Sequence, residues 1–264
     1  MSANVTRTAV VTGASSAFGA AYARRLAERG YSPVLVGRDE ERLKPVAADI
    51  AERTGVSAEI LIADLLDPAQ LAEVERRLRD DETIEMLVNS AGAASYAPLA
   101  GFDPAAAETQ IALNITATTR LTAAVLPGLT ARGRGTIVTV SSALVFYILP
   151  VSAVYSGTKS YVLTFTQALQ QELADTGVTA QLVIPGAMRT GFWAGSGIEL
   201  STFPDEAIMD PEYAVDAALA GLDAGEPVTI PSLPDITDWH SFEQARGTLA
   251  GLTSRSVVAA RYRG

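Results

Sequence analysis

Three side chains in one stretch could move a proton. Tyr155 and Lys159, in Tyr155-Ser156-Gly157-Thr158-Lys159, stand four residues apart, and Ser142 lies thirteen residues before the tyrosine. On a helix, positions four apart share a face, so a phenol and an ammonium meet there. Such a pair suits hydride reduction of a carbonyl, which leaves an alkoxide in need of a proton. A free tyrosine, with a pKa of about 10, matches neutral pH poorly. A neighbouring ammonium stabilises phenolate and lowers that pKa, the more so beside the positive ring of a spent hydride donor. Ser142 would hydrogen-bond the substrate oxygen and steady its developing charge. The three donors of Lys159 could also hold sugar hydroxyls. Taken alone, Tyr155 and Lys159 read more readily as an amphipathic pair at a helix edge, because structural pairs at this spacing are common.

Two features elsewhere supply what that chemistry lacks. Thr12-Gly13-Ala14-Ser15-Ser16-Ala17-Phe18-Gly19 follows a short apolar run and precedes a helical pattern. A strand feeding a Gly/Ser turn and then a helix aims backbone N–H groups at one spot, which binds phosphate; an ordinary βα turn is the equal alternative. After the second strand stands Gly37-Arg38, where dinucleotide folds usually place an acidic residue for the ribose 2'-hydroxyl. A guanidinium there pairs with a 2'-phosphate, so NADP(H) is preferred and NAD(H) is the alternative. Arg38 as a solvated surface residue is the competing reading, and Asp39 reads as the N-cap of the next helix. Ala93, Ala94, Tyr96, Phe146, Tyr147, Phe192 and Trp193 make an apolar, aromatic candidate pocket wall; they read equally as core. Arg189 either joins that wall or faces solvent. A hydrophobic ketone or aldehyde, or the matching secondary alcohol, is expected as substrate.

With these segments in place, the chain resembles the classical short-chain dehydrogenase/reductase family. The turn at 12–19 looks like its Thr-Gly-x-x-x-Gly-x-Gly loop, which implies cofactor contacts from Gly13, Ser15, Ser16, Phe18 and Gly19; Ala17 departs from the middle glycine. Ser142, Tyr155 and Lys159 are similar to its Ser, Tyr-x-x-x-Lys signature, with Tyr155 and Lys159 also at the cofactor. Asn89-Ser90-Ala91-Gly92 looks like the family's Asn-Asn-Ala-Gly, with Ser90 the departure. The resemblance implies cofactor contacts from Asn89, Ala91 and Gly92, and places Asp64 at the adenine edge with Leu65 beside it. A turn or capping Asp before Pro68 is the alternative for Asp64. Asn114 falls where the family has a catalytic asparagine supporting a water-mediated relay from Lys159; a buried polar residue with a backbone partner is the alternative. Pro185-Gly186-Ala187-Met188-Arg189-Thr190 resembles its Pro-Gly-x-x-x-Thr segment, implying cofactor contacts from Pro185, Gly186, Met188, Thr190 and the Ile184 backbone. These matches run in family order from Thr12 to Thr190.

The elements needed to carry these residues are legible. Strands are expected at residues 8–12, 33–36, 58–63, 84–89, 135–141, 178–184 and 228–231. Helices are expected from the first turn to about 29 and over 40–53, 68–79, 104–131 and 152–175, with a final one near 238–252. Val/Ile/Leu runs rather than alternation suit strands covered on both faces, and strand–helix alternation predicts an α/β, doubly wound Rossmann fold. Its central, mostly parallel sheet has seven strands with helices on both faces. One domain over 1–264 is expected, with a substrate-loop insertion at about 191–210 and a divergent tail from about 232.

Composition narrows the rest. The net charge of -10 argues against a nucleic-acid surface. With no cysteine and only His240, no metal site, disulfide or thiol nucleophile is expected. Residues 1–8 lack a signal-peptide core, and apolar runs such as 137–140 are too short for a bilayer, so a cytoplasmic protein without membrane contact is expected. The resemblance implies a homodimer through the two long helices, or a homotetramer through the tail. A non-catalytic cofactor-binding regulator would lose Tyr155, Lys159 or Ser142. An extended member of the family would need a larger segment after Thr190 than the remaining chain supplies.

Overall fold

The computed structural model describes residues 7–263; most of the leader reading at 1–8 lies outside them. Seven strands form one sheet: β1 (Arg7–Thr12), β2 (Tyr31–Gly37), β3 (Glu59–Ile62), β4 (Ile84–Asn89), β5 (Gly135–Val140), β6 (Val178–Val183) and β9 (Val228–Thr229). Their order is β3-β2-β1-β4-β5-β6-β9, and every neighbouring pair is parallel. The chain winds outward from β1 in one direction and from β4 in the other. The carboxyl ends of β1 and β4 therefore flank the switch point where such sheets bind ligands.

Alternate strand residues feed two separate cores. Ala9 and Val11 pack with helices α1 (Ala17–Glu28), α2 (Glu40–Thr54) and α7 (Pro211–Asp223). Val10, Val34 and Val36 pack on the other face with α3 (Pro68–Asp80), α5 (Thr118–Arg132) and α6 (Ala153–Glu172). Burial on both sides explains the largely apolar central strands. Three helices open on the same dipeptide, Asp67-Pro68, Asp103-Pro104 and Asp210-Pro211, in which the carboxylate caps free N–H groups and proline occupies a first-turn site.

Two departures from the sequence reading concern the site. Residues 104–132 are not one uniform α-helix: α4 (Pro104–Ile111) passes through a π-helical stretch, Ala112–Ala117, before α5. The expected loop insertion contains three short 3-10 turns, at Gly191–Trp193, Leu200–Thr202 and Asp205–Ala207. Its base is closed by a two-residue parallel pair, β7 (Ala187–Met188) with β8 (Ile208–Met209).

The chain divides into two compact units, Met1–Pro231 and Ser232–Gly264. In the second, Asp235 caps α8 (Ile236–Thr253), and the Trp239 and Phe242 rings lie 5.5 Å apart.

Candidate active site

A cleft of about 510 Å³ runs along the carboxyl ends of the strands, from the turn after β1 to the loop after β6. Its first end is built by Thr12. The Thr12 hydroxyl donates to the Val88 carbonyl (3.2 Å) and accepts the N–H groups of Ser90 and Ala91 (both 3.1 Å), tying β1 to β4. Gly13 turns with φ +66°, where a Cβ would also come within 2.9 Å of Ala91 Cα; a side chain is excluded on both counts. Ser16 caps α1 and accepts the Gly19 N–H at 3.0 Å. Ala17 opens α1 with the negative φ that every described non-glycine residue has, so its methyl is accommodated without backbone strain. Ser15, Ser16, Ala17 and Phe18 line the cleft.

Gly19 does not. Its missing side chain leaves room for the Gly13 carbonyl, which a Cβ would overlap; it shapes the turn from below. Arg38 faces the same end of the cleft, is exposed, and has no ion pair among the described residues. Asp39 caps α2. A second guanidinium, Arg42, lines this end and donates to the Ser15 carbonyl at 3.2 Å. Nothing in the sequence singled it out from the charged face of α2. Asp64 and Leu65 form the adjoining wall, and Asp64 also accepts the Leu66 N–H at 3.0 Å. Its two readings are thus compatible.

Ala91 and Gly92 border the middle of the cleft, but Asn89 does not. Asn89 is buried and its amide donates to Thr122 on α5 at 3.0 Å, because the last side chain of β4 points into the helix layer. Asn114 is likewise absent from the wall. From the π-helical stretch it donates to the Ala93 carbonyl and to Thr158 and accepts the Ala93 N–H, all at 2.9 Å. Thr158 in turn donates to the Tyr155 carbonyl at 2.8 Å. Asn114 therefore clamps the segment after Gly92 to α6, and it makes no direct bond to Lys159 among the described residues.

Ser142 follows β5 and accepts the Leu144 N–H (3.3 Å) as it caps a 3-10 turn. Its hydroxyl acts on the Tyr155 phenol in the direction that favours phenolate. Ser141 donates to the Lys159 carbonyl at 3.0 Å, fixing α6 on β5. The Lys159 ammonium donates to the Val140 carbonyl at 3.0 Å and lies 5.7 Å from the centre of the Tyr155 ring. Gly92 keeps this corner open: a Cβ there would come within 3.2 Å of Asn114 Oδ1 and 3.7 Å of Lys159 Nζ.

Burial dominates the electrostatics. It lowers the Lys159 pKa to about 8. It pushes the Tyr155 phenol up to about 12, with the Ser142 hydroxyl pulling the other way. The sequence argument expected a lowered phenol. In the protein alone desolvation sets the direction for the phenol, and the same burial disfavours the charge of the Lys159 ammonium.

The far end is apolar. Ala94, Tyr96, Tyr147, Phe192 and Trp193 line it, and the Tyr96 ring meets that of Tyr155 edge-on at 5.4 Å. Phe146 does not border the cleft, whereas Leu144 and Tyr147 do; Phe146 and Tyr147, both beyond the 3-10 turn Ala143–Val145, are 40% and 49% exposed. Leu113, Leu149, Ile198 and Phe203 join instead, single apolar residues on four separate segments that no spacing connects. Pro185, Gly186, Met188 and Thr190 edge the cleft. The Ile184 N–H is taken by the Thr229 carbonyl, and Arg189 points outward to Asp205 at 3.5 Å. The site thus holds anion-binding groups at one end and a buried phenol–ammonium pair against an apolar wall at the other. Gly13, which leaves no room for a Cβ, and the two guanidinia fit a phosphorylated dinucleotide. No metal-binding group of three or more His, Cys, Asp or Glu occurs among the described residues.

The sequence pattern of the short chain dehydrogenase family matches residues 7–199. This chain belongs to that family. Two solved structures similar to this classical short-chain dehydrogenase/reductase have nearly the same extent. The short-chain dehydrogenase from Sphingobium yanoikuyae in complex with NADPH is 42% identical with a TM-score of 0.92, covering 97% of this chain and 100% of that one. The bulky-bulky ketone specific alcohol dehydrogenase from Comamonas testosteroni is 37% identical with a TM-score of 0.89, covering 99% and 100%. Among curated relatives, the inactive hydroxysteroid dehydrogenase-like protein 1 of Homo sapiens is 36% identical over 194 residues, 72% of this chain but only 58% of that protein. The short-chain dehydrogenase/reductase described here thus spans less than two thirds of that relative.

Proposed function

We propose that this protein reduces apolar ketones or aldehydes with NADPH, or runs the reverse oxidation of secondary alcohols, with NAD(H) as the weaker cofactor. The observation that carries this reading is one cleft with Arg38 and Arg42 at one end and Ser142, Tyr155 and Lys159 against an aromatic wall at the other. Gly13, Ser15, Ser16 and Phe18 would hold the pyrophosphate, Arg38 and Arg42 the 2'-phosphate, and Thr190 and Lys159 the nicotinamide end. NADPH, when bound, supplies the hydride. Ser142 would orient the carbonyl oxygen, and Tyr155, whose raised pKa keeps its proton at neutral pH, would deliver that proton to it. Lys159 would stabilise the phenolate left behind, and Asn114 would position the pair by holding Ala93 to Thr158.

The NADPH and ketone named for the two solved relatives support the assignment. The inactive relative makes a non-catalytic cofactor binder the rival reading. Against it, this chain keeps Ser142, Tyr155 and Lys159 together in one site. We further propose a cytoplasmic homodimer or homotetramer acting on a small molecule; no described helix is long and apolar enough to cross a membrane.

The test is NADPH consumption with acetophenone, butyrophenone and the charged ketone pyruvate. Turnover of the aryl ketones is expected. Tyr155→Phe should lower it by about 10²–10⁴-fold with the NADPH Kd little changed. Turnover of pyruvate alone, or a fully active Tyr155→Phe, would overturn the reading.

A further inference from the structure

The loop after β6 is fastened to the catalytic wall at one point. The Tyr96 N–H donates to the Ser196 carbonyl at 2.6 Å, and the next amide, Ala97, donates to the Val151 carbonyl at 3.0 Å on the opposite side. The Tyr96–Ala97 segment is thereby threaded between the loop and the residues that lead into α6. Ser196 is 1% exposed, its N–H bonded to the Trp193 carbonyl and its hydroxyl to Ile198. Gly197, at φ +92°, packs so closely that a Cβ would overlap the Tyr96 carbonyl oxygen. The Tyr96 ring completes the join: it stacks on Trp193 of the loop (6.4 Å, 17° between planes) and meets Tyr155 edge-on. The Trp193 indole is held from behind by the Met188 carbonyl at 2.8 Å and abuts Phe203 at 5.1 Å.

We infer that Ser196 and Gly197 form a latch which, through Tyr96, sets Trp193 and so the substrate-facing wall beside Tyr155. Neither residue borders the cleft, so Gly197 is a positioning residue that acts through Tyr96. The consequence for substrate selection rests on the proposed ketone reduction; the latch itself does not.

The loop carries its own control. Gly195 is also in the left-handed region, at φ +73°, yet a Cβ there would meet nothing within 4 Å. Alanine at either position imposes a similar backbone strain, but only at 197 does it collide with Tyr96. Hydrogen exchange at the Tyr96 amide of the full chain reads the latch without any substrate. Gly197→Ala should accelerate it by about tenfold or more, and Gly195→Ala should leave it near the wild-type rate. In kinetics with butyrophenone, Gly197→Ala should raise KM by about tenfold, with a smaller change in kcat and an unaltered NADPH Kd. Gly195→Ala should move KM far less. Equal exchange in both variants, or an unprotected Tyr96 amide in the wild type, would overturn the latch. If the wild type leaves butyrophenone untouched while the exchange contrast stands, the ketone reading fails and the latch survives.

Discussion

Lys159 should make the free protein less stable than a version without its charge. Lys159 is 6% exposed, its ammonium faces no carboxylate within ion-pair distance among the described residues, and its pKa is lowered from 10.5 to about 8 by burial. Converted by the linkage relation, that displacement is worth roughly 3 kcal/mol of lost stability wherever the folded lysine is charged. Lys159→Met keeps the length and apolar stem of the side chain and removes the charge. It also removes the bond to Val140, a loss of about 1 kcal/mol, leaving a net gain of about 2 kcal/mol at pH 7. For a chain of this size that corresponds to a Tm higher by about 4–8 °C. The sign with pH follows from the depressed pKa. Below pH 8 both folded and unfolded lysine are protonated and the penalty is complete. Between about 8 and 10.5 the unfolded chain binds the extra proton, so wild-type stability climbs with pH relative to the variant. Differential scanning calorimetry of both proteins without cofactor, from pH 6 to 10.5, is the assay, with ketone reduction followed in parallel. The variant should be inactive, more stable at neutral pH, and lose its advantage as the solution turns alkaline. A variant less stable than wild type at pH 7, or a Tm difference that ignores pH, would refute the argument.

Three other outcomes follow from the geometry. Replacing Arg38 and Arg42 together by alanine should weaken NADPH by about 10–100-fold, as expected for lost charge-assisted bonds, and leave the NADH Kd nearly unchanged in calorimetric titration. Gly19→Ala forces a methyl against the Gly13 carbonyl and should lower stability by about 1–3 kcal/mol, with weaker binding of both cofactors; Ala17→Gly should change cofactor binding little. Arg25 on α1 and Arg29, which caps its end, hold Asp216 and Asp223 on α7, and both carboxyls lie below the usual range because of those partners. Their stabilisation is present above the unfolded carboxyl pKa and lost as pH falls through the folded one. At 48% and 60% side-chain exposure it should amount to under about 1 kcal/mol per pair and shrink in high salt, as urea titrations of Asp216→Asn would show.

The sheet was legible because each strand is a short, mostly apolar run between turn signals, and the helix starts at Pro68 and Pro104 mark themselves; the helix opening at Pro211 was not expected from the sequence. Tyr155 and Lys159 were legible because helical spacing puts them on one face. What escaped depends on which way a side chain turns. Asn89 and Ser90 are neighbours in a motif, yet the strand sends Asn89 toward Thr122 and leaves Ser90 at the cleft. Phe146 and Tyr147 looked equivalent, yet only Tyr147 borders the cleft. Arg42 sits among Glu40, Glu41 and Lys44, indistinguishable from a solvated face until α2 brings it under Ser15. The direction of the Tyr155 pKa escaped for another reason: adjacency to an ammonium is written in the sequence, whereas the depth of burial that raises the phenol is not.

The π-helical stretch at Ala112–Ala117 has a consequence for how this helix can vary. A π turn is an α-helix carrying one surplus residue, and each residue of an α-helix turns the chain by about 100°. Removing one residue there would restore a regular ladder and rotate α4 by that angle relative to α5. Thr109 would leave the cleft wall and Gln110 its buried position, while no strand would move. A single-codon deletion at this place would thus act as a rotary adjustment of one wall of the pocket, separable from the sheet that carries the catalytic tyrosine.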